Sequence, residues 1–176
     1  MITSTTITTG DITVPDRAFT ATDTGLYGGT GQQTAITTVA LCNIEEPDLT
    51  DETVNSATVN IHFVKNGVTA SRRNLIVSNL IVPAGETVFF SDERIILDSN
   101  DSIWVGSTDG DVDTAGSFNV GSTYIIVTTS GTDYTLLGAA DSNPGTIFTA
   151  TGDGAANGTG TARKILIIAT VSSLPV

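Results

Sequence analysis

Apolar positions arrive in short bursts along this chain, and each burst closes on a cluster of turn residues. TAITTVALCN (34–43) and SATVNIHFVKNG (56–67) predict two strands. In the second, Val59, Ile61 and Phe63 fall on one face and Thr58, Asn60 and His62 on the other, the two-residue period of a half-buried strand. Between them IEEPDLTDETVN (44–55) is an acidic connection containing proline. Asn66-Gly67 is a hairpin signal, because both residues tolerate the left-handed backbone that tight turns need. NLIVSNLIVP (74–83) and ETVFFS (86–91) follow, separated by Pro83-Ala84-Gly85. DERIILD (92–98) and DSIWVGST (101–108) surround a Ser99-Asn100-Asp101 turn. RKILIIATV (163–171) is nearly continuous in apolar residues and predicts one final strand in a central, buried position.

Strands at this rate, with no amphipathic helix long enough to cross a sheet, predict an all-β fold. The expected form is an antiparallel β-sandwich or jelly-roll-like domain, with a small Gly-rich β-hairpin insertion before the last strand. Residues 1–33, Thr/Gly-rich and poor in large apolar groups, are expected either as an extended N-terminal arm lying against a neighbouring subunit or as a frayed end. Residues 34–118 with 163–176 form the expected sandwich, and 119–162 the inserted Gly/Thr-rich module. In that module Tyr124, Ile126, Tyr134, Leu136, Ile147 and Phe148 are expected to cluster, wrapped by glycine turns.

Composition narrows the function. The chain has 7 basic and 19 acidic residues, a net charge of -12, and a charged fraction of 15% against the usual ~25%. That sign repels phosphate backbones, so no nucleic-acid partner is expected. The opening residues lack the basic and apolar regions of a signal peptide, and the longest apolar run, 165–169, is too short to span a bilayer, so no membrane partner is expected. The single cysteine, Cys42, excludes an internal disulfide and lies in an apolar run, where a buried inert thiol is expected.

Candidate chemistry is sparse. His62 is the one histidine, sits mid-strand, and has no nucleophile motif beside it. A glycosidase-type carboxylate pair would have to come from Glu45, Glu46, Asp48, Asp51 and Glu52, all on one acidic connection that reads as a solvated loop. Asp109, Asp111 and Asp113 have the D-x-D-x-D spacing that opens a calcium loop. Thr114 stands where an EF-hand has glycine and Val120 where it has glutamate, which leaves a looser calcium site against a solvated acidic turn. The run GDGAANGTG (152–160) lacks the Gly-Lys-Ser/Thr of a phosphate loop, and Asp153 would repel an anion there. Trp104 is expected in the core, and Tyr27, Tyr124 and Tyr134 are the candidates for a sugar-binding rim. No catalytic residue and no cofactor are assigned.

The module residues Tyr124, Ile126, Thr132, Asp133, Tyr134, Gly138, Ala139, Gly145, Phe148, Ala150, Thr151 and Gly152 resemble a short module recurrent in tailed-bacteriophage structural proteins. Ser130 departs from it, standing where the pattern has its first glycine, with Gly131 next. Residues 35–112 are similar to a second phage pattern, carried here by VNIHFVKNG (59–67), the Pro83-Ala84-Gly85 turn and the strand over 97–105. The resemblance, to virion structural proteins of cyanophage-like tailed phages, implies a non-enzymatic virion component assembled in the host cytoplasm. A capsid decoration or cement protein is the first expectation. Its partners would be the major capsid protein or neck and tail proteins, and it would form a homo-oligomer, a trimer among the options. The alternatives are a neck, baseplate or fibre-associated tail component, and an adhesin module that binds host glycan.

Overall fold

In the computed structural model the described residues are 1–8, 12–21, 33–51, 53–91, 95–108, 112–155 and 157–176. They form thirteen strands in antiparallel sheets, with two short 3-10 turns and no long helix. The fold is all-β, as the strand pattern required. By contacts the chain divides into two compact units, residues 1–108 with 167–176, and residues 109–166.

The first unit is built from two sheets. One has the order β1 (Ile2–Thr6), β13 (Ile167–Pro175), β3 (Thr34–Asn43), β6 (Thr87–Phe90), with β7 (Ile95–Leu97) also pairing β3. The other has the order β2 (Asp16–Thr20), β8 (Ser102–Ser107), β4 (Ala57–Val64), β5 (Leu75–Val82). Side chains from both, among them Val39, Leu41, Val59, Ile61, Val105 and Val171, form the buried interior of a β-sandwich. The face assignment in β4 holds for buried Val59 and Ile61, but Phe63 is only half-buried. The strand's other face is also covered, since His62 and Val64 are buried there.

Three expectations change. Of the opening residues, 9–11 and 22–32 lie outside the described ones. Residues 2–7 are neither frayed nor a free arm: β1 pairs β13 from Ile2↔Ser172 to Thr6↔Ile168, and buried Ile7 donates to the Ile167 carbonyl at 3.0 Å. A strand poor in large apolar groups can still satisfy the backbone edge of a buried neighbour, because the ladder needs only amides and carbonyls. Secondly, RKILIIATV is two strands. β12 (Thr161–Lys164) belongs to the second unit and β13 to the first, with the break at Ile165-Leu166. Thirdly, Asn66-Gly67 does make a turn, with Val68 N–H donating to the Lys65 carbonyl at 3.0 Å, but a 3-10 turn at Arg72–Asn74 intervenes before β5.

The second unit is a four-stranded sheet rather than a lone hairpin. Its order is β11 (Ile147–Thr149), β10 (Thr123–Thr128), β12, β9 (Val112–Thr114). Because β9 pairs β12, the unit begins before residue 119 and extends past 162. Tyr124, Tyr134, Phe118 and Phe148 form its core, with ring centroids 5.1 to 6.1 Å apart, the tilted and stacked spacings that aromatic quadrupoles favour. Leu136 and Ile147 do not join them. The 3-10 turn Tyr134–Leu137 turns Leu137 inward and leaves Leu136 exposed, and the pleat of β11 gives the inward place to Phe148.

Candidate interaction surface

Where β5 and the β6/β7 strands end their respective sheets, the sandwich is apolar on its outside as well as its inside. β5 is LIVSNLIV, apolar at odd and even positions alike, and only Val82 is buried. A strand with one buried face needs half as many apolar side chains. Its pairing with β4 shifts register twice, between Val59/Ile61 and Ile61/His62, and Asn79 takes φ 52° with its amide donating to Asn60 Oδ1 at 2.9 Å. The bulges bring Ile76 and Val77 together on a groove of about 280 Å³. Ile36, Val39 and Ile61 form its floor, and Phe89, Phe90 and Ile95 its opposite wall. A second hollow shares Ile36 and Ser91 and carries the apolar line to Leu174 and Val176. Phe89 is 64% exposed, Ile81 63% and Ile76 48%. Among the described residues no side chain lining either hollow is charged, in a chain of net charge -12.

The residues that drew attention for their chemistry sit elsewhere and hold the structure together. His62 Nδ1 lies 3.1 Å from the Ser71 carbonyl and 3.2 Å from Asn74 Oδ1. Both partners accept, for Asn74 Oδ1 takes the Ser71 N–H at 2.8 Å and Asn74 Nδ2 donates to the Thr69 carbonyl at 3.0 Å. The proton therefore belongs on Nδ1, and the ring pins the 68–74 segment over β4. Among the described residues its Nε2 is buried without a hydrogen-bond partner.

In the acidic connection the described Asp48 and Asp51 serve turns. Asp48 accepts from Thr50 Oγ1 at 2.6 Å and Thr50 N at 2.7 Å; Asp51 accepts from Thr53 Oγ1 at 2.6 Å and Thr53 N at 2.9 Å. Each carboxylate closes a turn just ahead of itself, and these bonds, the threonine hydroxyl first, hold both acids below the ordinary 3.8. Glu45 is buried, Glu46 exposed, and Glu52 lies outside the described residues.

Asp109 and Asp111 of the calcium loop also lie outside the described residues. Asp113, on β9, accepts from the Tyr124 hydroxyl at 2.8 Å. Among the described residues no group of three His, Cys, Asp or Glu side chains is placed to hold a metal.

No protein-family model, curated protein or solved structure matches the chain.

The geometry therefore has to carry the functional reading, and it corrects three sequence expectations about side chains. Trp104 is not in the core: it is half-buried, donates from Nε1 to Ser102 Oγ at 2.7 Å, and carries the Arg17 guanidinium 4.8 Å above its ring. Tyr124 and Tyr134 are fully buried and present no rim, while Tyr27 lies outside the described residues. Cys42 is half-buried on the outward side of β3. The glycine run is a packing device. A Cβ on Gly158 would stand 2.5 Å from the Gly131 carbonyl carbon, so the backbones touch where a ligand loop would leave room. The groove itself was missed, although the doubly apolar pattern of NLIVSNLIV carried its signal.

Proposed function

We propose that this chain is a non-enzymatic structural component of a bacteriophage virion, most simply a capsid decoration or cement protein, and that it works through subunit-subunit contacts. The observation that carries the contact part of this reading is the groove whose described lining side chains are all uncharged, with Phe89 and Ile76 exposed on it. Contiguous apolar surface rimmed by polar residues marks sites of protein association, and the centre of such sites is depleted in charge. The phage part rests on the resemblance of residues 124–152 and 35–112 described above. A neck, baseplate or fibre-associated position would use the same surface. The carbohydrate-binding alternative finds less support, since its candidate tyrosines within the described residues are buried and Trp104 is capped by Arg17.

The surface is tested by sedimentation of the purified chain, alone and with phage shells lacking it, against a Phe89→Ser variant. Removing an exposed aromatic shifts monomer stability by no more than about 0.5 kcal/mol. At the centre of an interface the same change costs about 2 kcal/mol, or roughly thirtyfold in affinity. Wild-type chain that stays monomeric and leaves the shells bare, or a variant that associates as tightly as wild type, overturns the proposal.

A further inference from the structure

The chain contains two Asn-Gly dipeptides, and the fold treats them oppositely. Asn66-Gly67 occupies the corner of the exposed turn after β4. Among the described residues the Asn66 side chain makes no hydrogen bond, and nothing lies within 4 Å of where a Cβ on Gly67 would stand. Gly67 takes φ 77°, and the turn is closed by Val68 N–H rather than by its own, so the Gly67 amide has no acceptor among the described residues. Asn157-Gly158 is held at every point. Asn157 Nδ2 donates to the Asp133 carbonyl at 2.8 Å, its Oδ1 accepts from Asp133 N at 3.1 Å, and Gly158 is packed against Gly131.

We infer that Asn66 is a site of spontaneous deamidation, and that Asn157 is protected from it by the fold. With hydroxide as base, the Gly67 amide nitrogen loses its proton and attacks Asn66 Cγ. The new N–C bond closes a five-membered succinimide while the Cγ–N bond breaks and the side-chain nitrogen leaves as ammonia, taking up a proton from water. Water then adds to one of the two ring carbonyls and opens the ring to aspartate or isoaspartate. No oxidant or cofactor is consumed. The attack requires an amide that can rotate freely toward the main chain and a following residue without a side chain in the way. Asn66 meets both requirements. Asn157 would first have to give up two hydrogen bonds.

The consequence falls on a specific clip. Asn66 N donates to buried Asp101 Oδ1 at 2.9 Å, and Lys65 Nζ bridges Asp98 at 3.3 Å and Asp101 at 3.5 Å. The product places another carboxylate beside these two, and the isoaspartate form adds a methylene to the main chain inside the turn. Both changes loosen the tie between the β4–β5 connection and the β7–β8 turn.

Purified full-length chain is incubated at mildly alkaline pH, native and in denaturant, and both positions are followed by peptide mass spectrometry and enzymatic isoaspartate labelling. In the native protein, conversion at Asn66 should exceed that at Asn157 by roughly tenfold or more, from the two bonds that protect the latter. In denaturant the two rates should converge, and an Asn66→Gln variant should lose the native signal. Comparable native rates at the two positions, or a difference that persists in denaturant, overturns the inference.

Discussion

At the scale of single residues, Ser130, which stands where the resembled pattern has glycine, has a visible cost. Ser130 takes φ 35° and Gly131 φ 77°, in a turn closed by Thr132 N–H donating to the Thr129 carbonyl at 2.7 Å. An L-residue in the left-handed region is strained by about 1 kcal/mol, which glycine avoids. The greater freedom of glycine in the unfolded chain returns part of that gain. Ser130→Gly should therefore stabilise the protein by about 0.5 kcal/mol, or 1–2 °C in melting temperature, measured by calorimetry. An unchanged or lower melting temperature would show that the serine hydroxyl compensates. The other residue-level lesson concerns polar side chains. Asp133 accepts from Thr135 Oγ1 at 2.6 Å and Thr135 N at 3.1 Å, bonds that hold its carboxyl below the ordinary 3.8. Like Asp48 and Asp51, it serves a turn. In a sequence short of histidine and cysteine, acidic residues beside threonine were turn signals, and only their partners' positions made that evident.

At the scale of elements, the glycine-rich segment and the final apolar run show how the second unit closes. Gly160 precedes β12, and a Cβ there would stand 2.5 Å from the Thr129 carbonyl oxygen and 2.7 Å from the Tyr134 hydroxyl. The first of these is backbone and cannot swing away. Gly152 is ordinary by comparison, with its nearest contact the Leu137 side chain at 3.7 Å. Gly160→Ala should cost about 2–3 kcal/mol, and Gly152→Ala within about 1 kcal/mol, as read by urea denaturation. Equal costs would mean that the close approach at Gly160 does not constrain the fold. Strand existence was legible from Thr34 to Ser107, where TAITTVALCN is β3 to the residue and the β4 to β8 segments all appear. By contrast, β2 and β9 fall where no strand was expected. The joint inside RKILIIATV was not legible. Residues 165 and 166 are both buried isoleucine and leucine, so hydropathy runs unbroken across a change of sheet. Only pairing partners mark it, since β12 answers to β10 and β9 while β13 answers to β1 and β3.

At the scale of the whole molecule, charge sets the terms of association. Two copies of a chain with net charge -12 repel each other at long range, yet no described side chain lining the groove or its neighbouring hollow is charged. If copies meet through this surface, salt should strengthen the contact. The screening length falls from about 30 Å at 0.01 M to about 10 Å at 0.1 M, while apolar burial is left intact. Sedimentation equilibrium across that range should show self-association tightening by several-fold, roughly 1 kcal/mol. Weakening with salt would point instead to a contact built on ion pairs.

By itself the sequence determined the class of the fold. Two-residue periodicity, turn chemistry and the lack of long amphipathic segments are local properties, and local properties suffice to specify strands and turns. It also determined the overall charge, whose sign disfavours a phosphate backbone as partner. Tertiary structure decided what local pattern cannot encode: which strand pairs with which, where RKILIIATV changes sheet, and that Trp104 lies under Arg17 outside the core. It also decided that Phe89 and Ile76 remain exposed along a groove. An apolar residue carries the same hydropathy whether it is buried or left at an edge. Its fate is fixed by the neighbours that pairing and bulges bring to it, and those come from distant parts of the chain.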